Sequence, residues 1–142
     1  MSFEERNTWV FGAIALAGYA TYLALLFARA DGGPLAEAPY VAPMLGTIVG
    51  AIVAGILGGI VLGILTPAED RQSDVRDKQI TRLGEQVGNS FVVLGGLGAL
   101  VLSWLEVPHF WIANTLYLGF VLAAVLSTIA KLVTYRKGLP SW

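Results

Sequence analysis

The stretch "VAPMLGTIVGAIVAGILGGIVLGIL" (residues 41–65) contains no charged side chain and decides the fold class. It is longer than the about 18 consecutive apolar residues that indicate a membrane-spanning helix. Three more apolar runs of about that length lie at residues 9–27, 87–105 and 110–133. We therefore predict one domain over residues 1–142, an all-α integral membrane four-helix bundle.

The composition supports lipid as the solvent of this chain. Of its 142 residues, 56% are hydrophobic and 13% are charged, whereas about a quarter of the residues in a soluble domain are charged. The formal net charge of −1 provides no basic surface for nucleic acid. The lack of cysteine excludes disulfides, thiolate metal sites and cysteine nucleophiles.

The first apolar run has one competing interpretation, a cleaved signal peptide, because Ala28-Arg29-Ala30 resembles a small-x-small cleavage site. The preceding "MSFEERNTW" is not basic, and the run is about a full bilayer long instead of about 7–15 residues. We therefore predict that residues 9–27 are retained as a span.

The segment at residues 66–89, "TPAEDRQSDVRDKQITRLGEQVGN", holds about half of the charged side chains. Thr66-Pro67-Ala68-Glu69 has the pattern of a capped helix start, with Pro67 at the first helical position. We predict a charged helix over residues 67–83 that bends around Gly84 or Gly88 and continues into the third span.

The distribution of Lys and Arg predicts the topology. Of the nine Lys and Arg residues, only Arg29 falls on the side of the membrane that holds the first and third connections. The positive-inside rule therefore places both termini and the central helix in the cytoplasm. The predicted location is a prokaryotic plasma membrane.

The central helix has three possible roles. It is a solvated hairpin that fixes topology, a docking face for a cytoplasmic partner, or a lipid-binding segment. The third role fits least well, because the mixed charge of the helix is unlike that of an anionic-lipid sensor. The candidate docking residues are Asp74, Arg76, Asp77, Lys78 and Arg82.

Small residues recur four apart along the spans, a spacing that lets helix backbones approach closely in lipid. This spacing fits packing within the chain, a homo-oligomer or a partner helix. The candidate packing residues are Gly46, Gly50, Gly55, Gly59, Gly63, Gly95, Ala99, Gly119 and Ala123.

Glu106 and His109 form the best candidate polar site, in the outer turn between the third and fourth spans. A carboxylate beside an imidazole can bind a proton or a cation, but a zinc site needs three or four protein ligands. The alternative interpretation is a polar turn with an interfacial ion pair.

No other chemistry is indicated. Phosphate-loop, metalloprotease and nucleophile-elbow motifs are lacking, so we predict no catalytic residue, no metal and no cofactor. Thr and Ser within spans are weak evidence because they bond to their own helix backbone. Asn89 and Asn114 are stronger polar signals, although both fall near span ends.

The cytoplasmic pattern Asp74-Val75-Arg76-Asp77-x-x-Ile80 resembles a loose group of small four-span prokaryotic membrane proteins of unknown function, in which Glu stands where this chain has Val75. Some of that group look like membrane partners of small helix-turn-helix regulators, so the resemblance implies a sensing or sequestering role. Small multidrug transporters also have four helices, but their membrane-embedded glutamate is missing from residues 9–27. The signature of four-span fluoride channels is missing too.

We therefore expect a non-enzymatic structural, regulatory or complex-forming protein, with the bilayer and another membrane or cytoplasmic protein, or a second copy, as partners. The alternative is a small oligomeric channel or transporter whose outer mouth includes Glu106 and His109.

Overall fold

A computed structural model describes residues 3–34, 37, 39–67 and 75–138. These residues form four long helices and no strand, and each helix is long and apolar enough to cross a membrane. The predicted all-α helical bundle is confirmed, and the chain has the structure of a multi-pass membrane protein. The helices are α1 (Phe3–Ala30), α2 (Val41–Leu65), α3 (Val75–Trp104) and α4 (His109–Lys137).

The helices extend beyond the apolar runs, except for α2, which spans the same residues as its run. The extra turns of α1 and α4 carry charged side chains, including Glu4 and Glu5 in the first turn of α1. Acidic side chains are favoured there by the helix dipole. Hydropathy marks the part of a helix that lies in lipid, whereas backbone hydrogen bonding continues into the water interface.

The structure departs from the predicted central helix at its start. Pro67 is not helical, and the buried hydroxyl of Thr66 makes no hydrogen bond in the part of the chain described here. Thr66 has an extended backbone, φ −105° and ψ 127°, a conformation that a following proline favours and that N-cap residues also adopt. Residues 68–74 lie outside the described residues. From Val75 the helix continues unbroken through Gly84 and Gly88 as α3.

The main helix contacts follow the order α3, α4, α1, α2, and the contact between α3 and α4 is the most extensive. Gly95 and Gly119 face each other at this contact, so closely that a Cβ added to either would lie 2.9 Å from the Cα of the other. Lipid provides no hydrophobic drive between helices, so this backbone approach supplies the packing contacts that hold the pair.

The two ends of the bundle are built differently. We call the end with the α1–α2 and α3–α4 connections the outer end, and the opposite end the inner end. At the outer end Tyr22, Leu26, Phe110 and Tyr117 form the buried hydrophobic cluster. At the inner end the buried side chains include the polar groups of Asp77 and Thr134. The outer end is therefore closed by aromatic packing, whereas the inner end combines these polar groups with the fully buried Ile80.

Gly95→Ala is expected to destabilise the protein, because the new Cβ meets the backbone of α4, which can relieve the overlap only by moving. Overpacking of this kind costs about 1–3 kcal/mol. Gly96→Ala is the matched control, since a Cβ there meets nothing within 4 Å and alanine favours a helix by up to about 1 kcal/mol. Reversible unfolding in detergent would measure both, and equal stabilities would contradict the close α3–α4 contact.

Candidate functional site

A hydrogen-bond network joins α1, α2 and α4 in the outer half of the bundle. The Tyr22 hydroxyl donates to Asn114 Oδ1 over 2.5 Å. The Tyr117 hydroxyl lies 2.8 Å from Thr47 Oγ1. One bond links α1 to α4 and the other links α4 to α2, so this tyrosine network connects three helices.

The donor and the acceptor of each hydrogen bond in this network can be assigned. Thr47 Oγ1 donates to the Met44 carbonyl oxygen over 3.1 Å, and a hydroxyl has one proton. The bond between Thr47 and Tyr117 must therefore be donated by Tyr117. Asn114 Nδ2 likewise donates to the Phe110 carbonyl oxygen over 2.8 Å. Both chains of hydrogen bonds end on backbone carbonyl oxygens, which do not pass protons on. The network therefore fixes the helices against one another.

Aromatic rings surround these hydroxyls. The Tyr19 and Tyr117 rings meet edge to face with centroids 5.3 Å apart, and the Tyr22 and Tyr117 centroids are 4.9 Å apart. Nearer the outer surface, the Tyr40 and Phe110 rings also meet edge to face at 5.3 Å. Such pairs add about 0.5–1.5 kcal/mol beyond area burial. The rings shield the network and restrict the rotation of α1 against α4.

The sequence does not reveal most of this network. Asn114 stands out in it as a polar residue near a span end, but no pattern assigns it a partner or points to Tyr22 or Tyr117. One signal was present: Tyr19 and Tyr22 are three residues apart and therefore share a face of α1. The spacing does not say that this face meets α4, because that contact joins residues 92 positions apart.

Most hydroxyls elsewhere in the spans behave as expected. They return a hydrogen bond to the carbonyl four residues earlier in their own helix, which confirms that they are weak evidence for a site. The residues concerned are Thr8, Thr21, Ser90, Thr128 and Thr134.

Glu106 and His109 lie at the outer turn, where both side chains are exposed. Glu106 has a left-handed backbone, φ 56°, and its N–H donates to the Ser103 carbonyl oxygen over 3.1 Å, so this residue shapes the turn. No group of three or more potential metal ligands occurs among the described residues. The pair is a polar turn at the outer surface, and its binding of a proton or cation stays a prediction.

The predicted packing residues divide into two sets. The first set packs inside the chain: Gly55 and Gly59 lie against the Phe11 ring, and the others are at the α3–α4 contact or are buried within the bundle. This set consists of Gly55, Gly59, Gly95, Ala99, Gly119 and Ala123.

The second set faces open space. A Cβ added at Gly46, Gly50 or Gly63 would have no heavy atom within 4 Å. Gly46 and Gly50 line a groove of about 510 Å³ between α1 and α2, which we call the α2 groove; Thr47 and Arg29 also line it. The other small residues of its lining are Ala17, Gly18, Ala42, Ala51 and Ala54. Only 6% of the most apolar stretch of α2 is buried, against 17% in each other helix, so α2 is the least covered span.

The predicted docking residues fall into two groups, one in contact with α4 and one exposed. Arg76 Nη2 donates to the Tyr135 carbonyl oxygen over 2.9 Å, with its guanidinium 5.8 Å from the centre of the Tyr135 ring. The Tyr135 hydroxyl donates to Asp77 Oδ1 over 2.7 Å, and Asp77 is buried. Arg76 and Asp77 therefore tie the start of α3 to the end of α4. Of the others, Lys78 and Arg82 are exposed, and Asp74 lies outside the described residues.

Comparison with known proteins found no matching family model, no similar curated protein and no similar solved structure. The resemblance to small four-span prokaryotic proteins stays a prediction.

Tyr22→Phe is expected to lower the free energy of unfolding in lipid or detergent by about 0.6–1.7 kcal/mol, the range for hydrogen bonds between membrane helices. The substitution keeps the ring but leaves Asn114 Oδ1 without its donor. Tyr19→Phe is the control, since no described hydrogen bond involves the Tyr19 hydroxyl. The same loss in both variants would show that the hydroxyl of Tyr22 contributes nothing specific.

Arg76→Ala is expected to loosen the first turns of α3, because the helix loses its hydrogen bond and ring contact with Tyr135. Amide hydrogen exchange of residues 75–80 should become several-fold faster, whereas Lys78→Ala, an exposed neighbour, should leave it unchanged. Unchanged exchange in Arg76→Ala would mean that Arg76 does not anchor the helix.

Proposed function

We propose that the protein is a non-enzymatic, complex-forming membrane component, and that its α2 groove receives a transmembrane helix of another membrane protein. The observation that carries the proposal is the open space at Gly46 and Gly50. Small residues four apart serve helix association in lipid, and within the described chain no helix occupies these two glycines.

The shape of the α2 groove is fixed by contacts within the chain and does not depend on a partner. Thr47 lines it and accepts a hydrogen bond from Tyr117, so the position of α2 against α4 is fixed at that level. The small side chains of the lining have almost no rotamer entropy to lose on binding. Preorganisation of this kind lowers the cost of association.

Arg29 lines the same groove, on the last turn of α1. Its guanidinium favours a partner that carries a carboxylate or a similar anionic group near the outer surface, because such pairs are strong at a partly desolvated boundary. The expected partner is therefore a small-faced helix with an acidic residue near its outer end.

Topology and location belong to the same proposal. We place both termini in the cytoplasm, on the strength of the Lys and Arg distribution, and the membrane in a prokaryotic cell, as the resemblance to small four-span proteins implies. Lys78 and Arg82 are then exposed at the cytoplasmic surface, where they offer positive charge to a soluble partner.

A channel or transporter has less support. The hydroxyl protons of the tyrosine network end on backbone carbonyls and offer no relay, and the α2 groove lies on the lipid-facing side of the described helices. Flux through liposomes that contain the protein, with Glu106→Gln as the comparison, remains the direct test of that alternative.

Gly46→Leu combined with Gly50→Leu is expected to remove a stoichiometric partner that co-purifies with the intact chain in mild detergent. A Cβ at either position meets nothing within 4 Å, so the leucines have room to enter the groove and the variant should remain folded. Gly63→Leu is the matched control, because Gly63 also faces open space but does not line the groove.

Co-purification is measured from the native membrane by the mass of the complex and the identity of its subunits. The proposal requires one partner at fixed stoichiometry in the intact chain and in Gly63→Leu, and its loss in the double variant. A partner retained by the double variant, or no partner in the intact chain, would contradict it.

A further inference from the structure

The exposed face of α3 carries a polar stripe that enters the membrane. Gln86, Asn89, Ser90 and Val93 are spaced three, four and seven residues apart, so they share one side of the helix. All four are exposed, and together with Leu94 they line one shallow hollow. Packing glycines such as Gly88 and Gly95 point to α4, so the stripe lies on the side of α3 away from the bundle.

The amides of this stripe have no hydrogen-bond partner in the described part of the chain. Ser90 Oγ donates to the Gln86 carbonyl oxygen over 3.0 Å, but neither the Asn89 nor the Gln86 amide makes a hydrogen bond among the described residues. A hydrocarbon core of about 30 Å needs about 20 helical residues. Counting back from Trp104 places Asn89 about one turn inside the core, where lipid tails offer no hydrogen bond.

We propose that a second copy of this chain packs against the stripe, with Asn89 and Gln86 hydrogen-bonded to the same residues of that copy. A side-chain amide is both donor and acceptor, so two identical stripes satisfy each other. Copies inserted with one topology are related by a twofold axis along the membrane normal, which makes the two α3 helices parallel and sets Asn89 beside Asn89 of the second copy. A buried Asn pair specifies register in parallel helix dimers in the same way.

Charges at the inner end determine where the two helices are closest. Lys78 and Arg82 lie on the same face and are exposed, so the two copies repel each other there. Glu85 is also exposed but offsets only one of these two positive charges, so each copy keeps a net positive charge there. We therefore place the closest approach at Asn89 and Val93, with the inner ends of the two helices diverging.

This interface is separate from the α2 groove. α2 and α3 share no extensive contact and stand at opposite ends of the order in which the helices pack. A dimer through α3 leaves the groove of each copy open, so the inference does not depend on the proposed partner of α2.

Disulfide formation tests the proposal cleanly, because the chain has no cysteine. Val93→Cys places one thiol on the stripe and leaves both amides intact. Mild oxidation in native membranes is expected to give a covalent dimer of this chain. Val92→Cys, also exposed but about 100° away around the helix, should give at least fivefold less dimer.

The role of the amides is tested in the Val93→Cys background. Adding Asn89→Leu and Gln86→Leu should reduce the dimer at least fivefold, whereas Asn89→Gln should retain most of it. Monodisperse elution and unchanged helicity confirm that each variant is folded. An undiminished dimer in the leucine variant, no dimer from Val93→Cys, or a disulfide to a different protein would each overturn the proposal.

Discussion

Lipid removes the force that usually brings helices together, and the architecture of this protein depends on what replaces it. A leucine gains nothing by leaving lipid tails for another helix, so association needs close backbone contact or hydrogen bonds. The chain supplies the first at Gly95 and Gly119 and the second at the pairs that Tyr22 and Tyr117 make. The α3–α4 pair uses close glycine contact together with the hydrogen bonds at Tyr135, whereas hydroxyl groups and rings link α1 to α4. α2 packs mainly on α1.

The same constraint helps to interpret the helix faces that no other helix covers. An exposed leucine on a membrane helix is simply in contact with lipid. An open pair of glycines is different, because it leaves a backbone surface that lipid tails fill less completely than a helix does. Gly46 and Gly50 form such a surface beside Arg29, while the amides of Gln86 and Asn89 form a polar one on α3. These two uncovered faces of the described helices differ in chemistry, and we assign them to different partners.

Sequence predicted the architecture well because length and apolarity are local properties. The run at residues 41–65 corresponds to α2 without adjustment. The spacing of small residues also identified both the packed and the open glycines, but it did not separate them. Gly55 meets the Phe11 ring, whereas Gly46 faces open space. Which glycines meet a neighbouring helix depends on how the helices are rotated and placed against each other, which no local pattern records.

The side-chain network and the inner-end contacts were harder to predict for the same reason. Arg76 and Asp77 stand in a charged segment and were interpreted as part of a docking face, yet both bond to Tyr135, 59 and 58 residues away along the chain. The residues of a highly charged segment are exposed on average. Whether one carboxylate in it is buried depends on the helix that packs beside it. Thr66 and Pro67 show the reverse case, a strong local start signal at which Pro67 itself is not helical, while residues 68–74 lie outside the described residues.

The central claim is that protein, and not lipid, covers the α2 groove in the native membrane. A photoreactive side chain placed at Ala54, which lines the groove, tests it directly when compared with the same group at Val53, an exposed neighbour outside the lining. The account predicts a discrete protein adduct from position 54 and lipid adducts alone from position 53. Lipid adducts alone at both positions would contradict it.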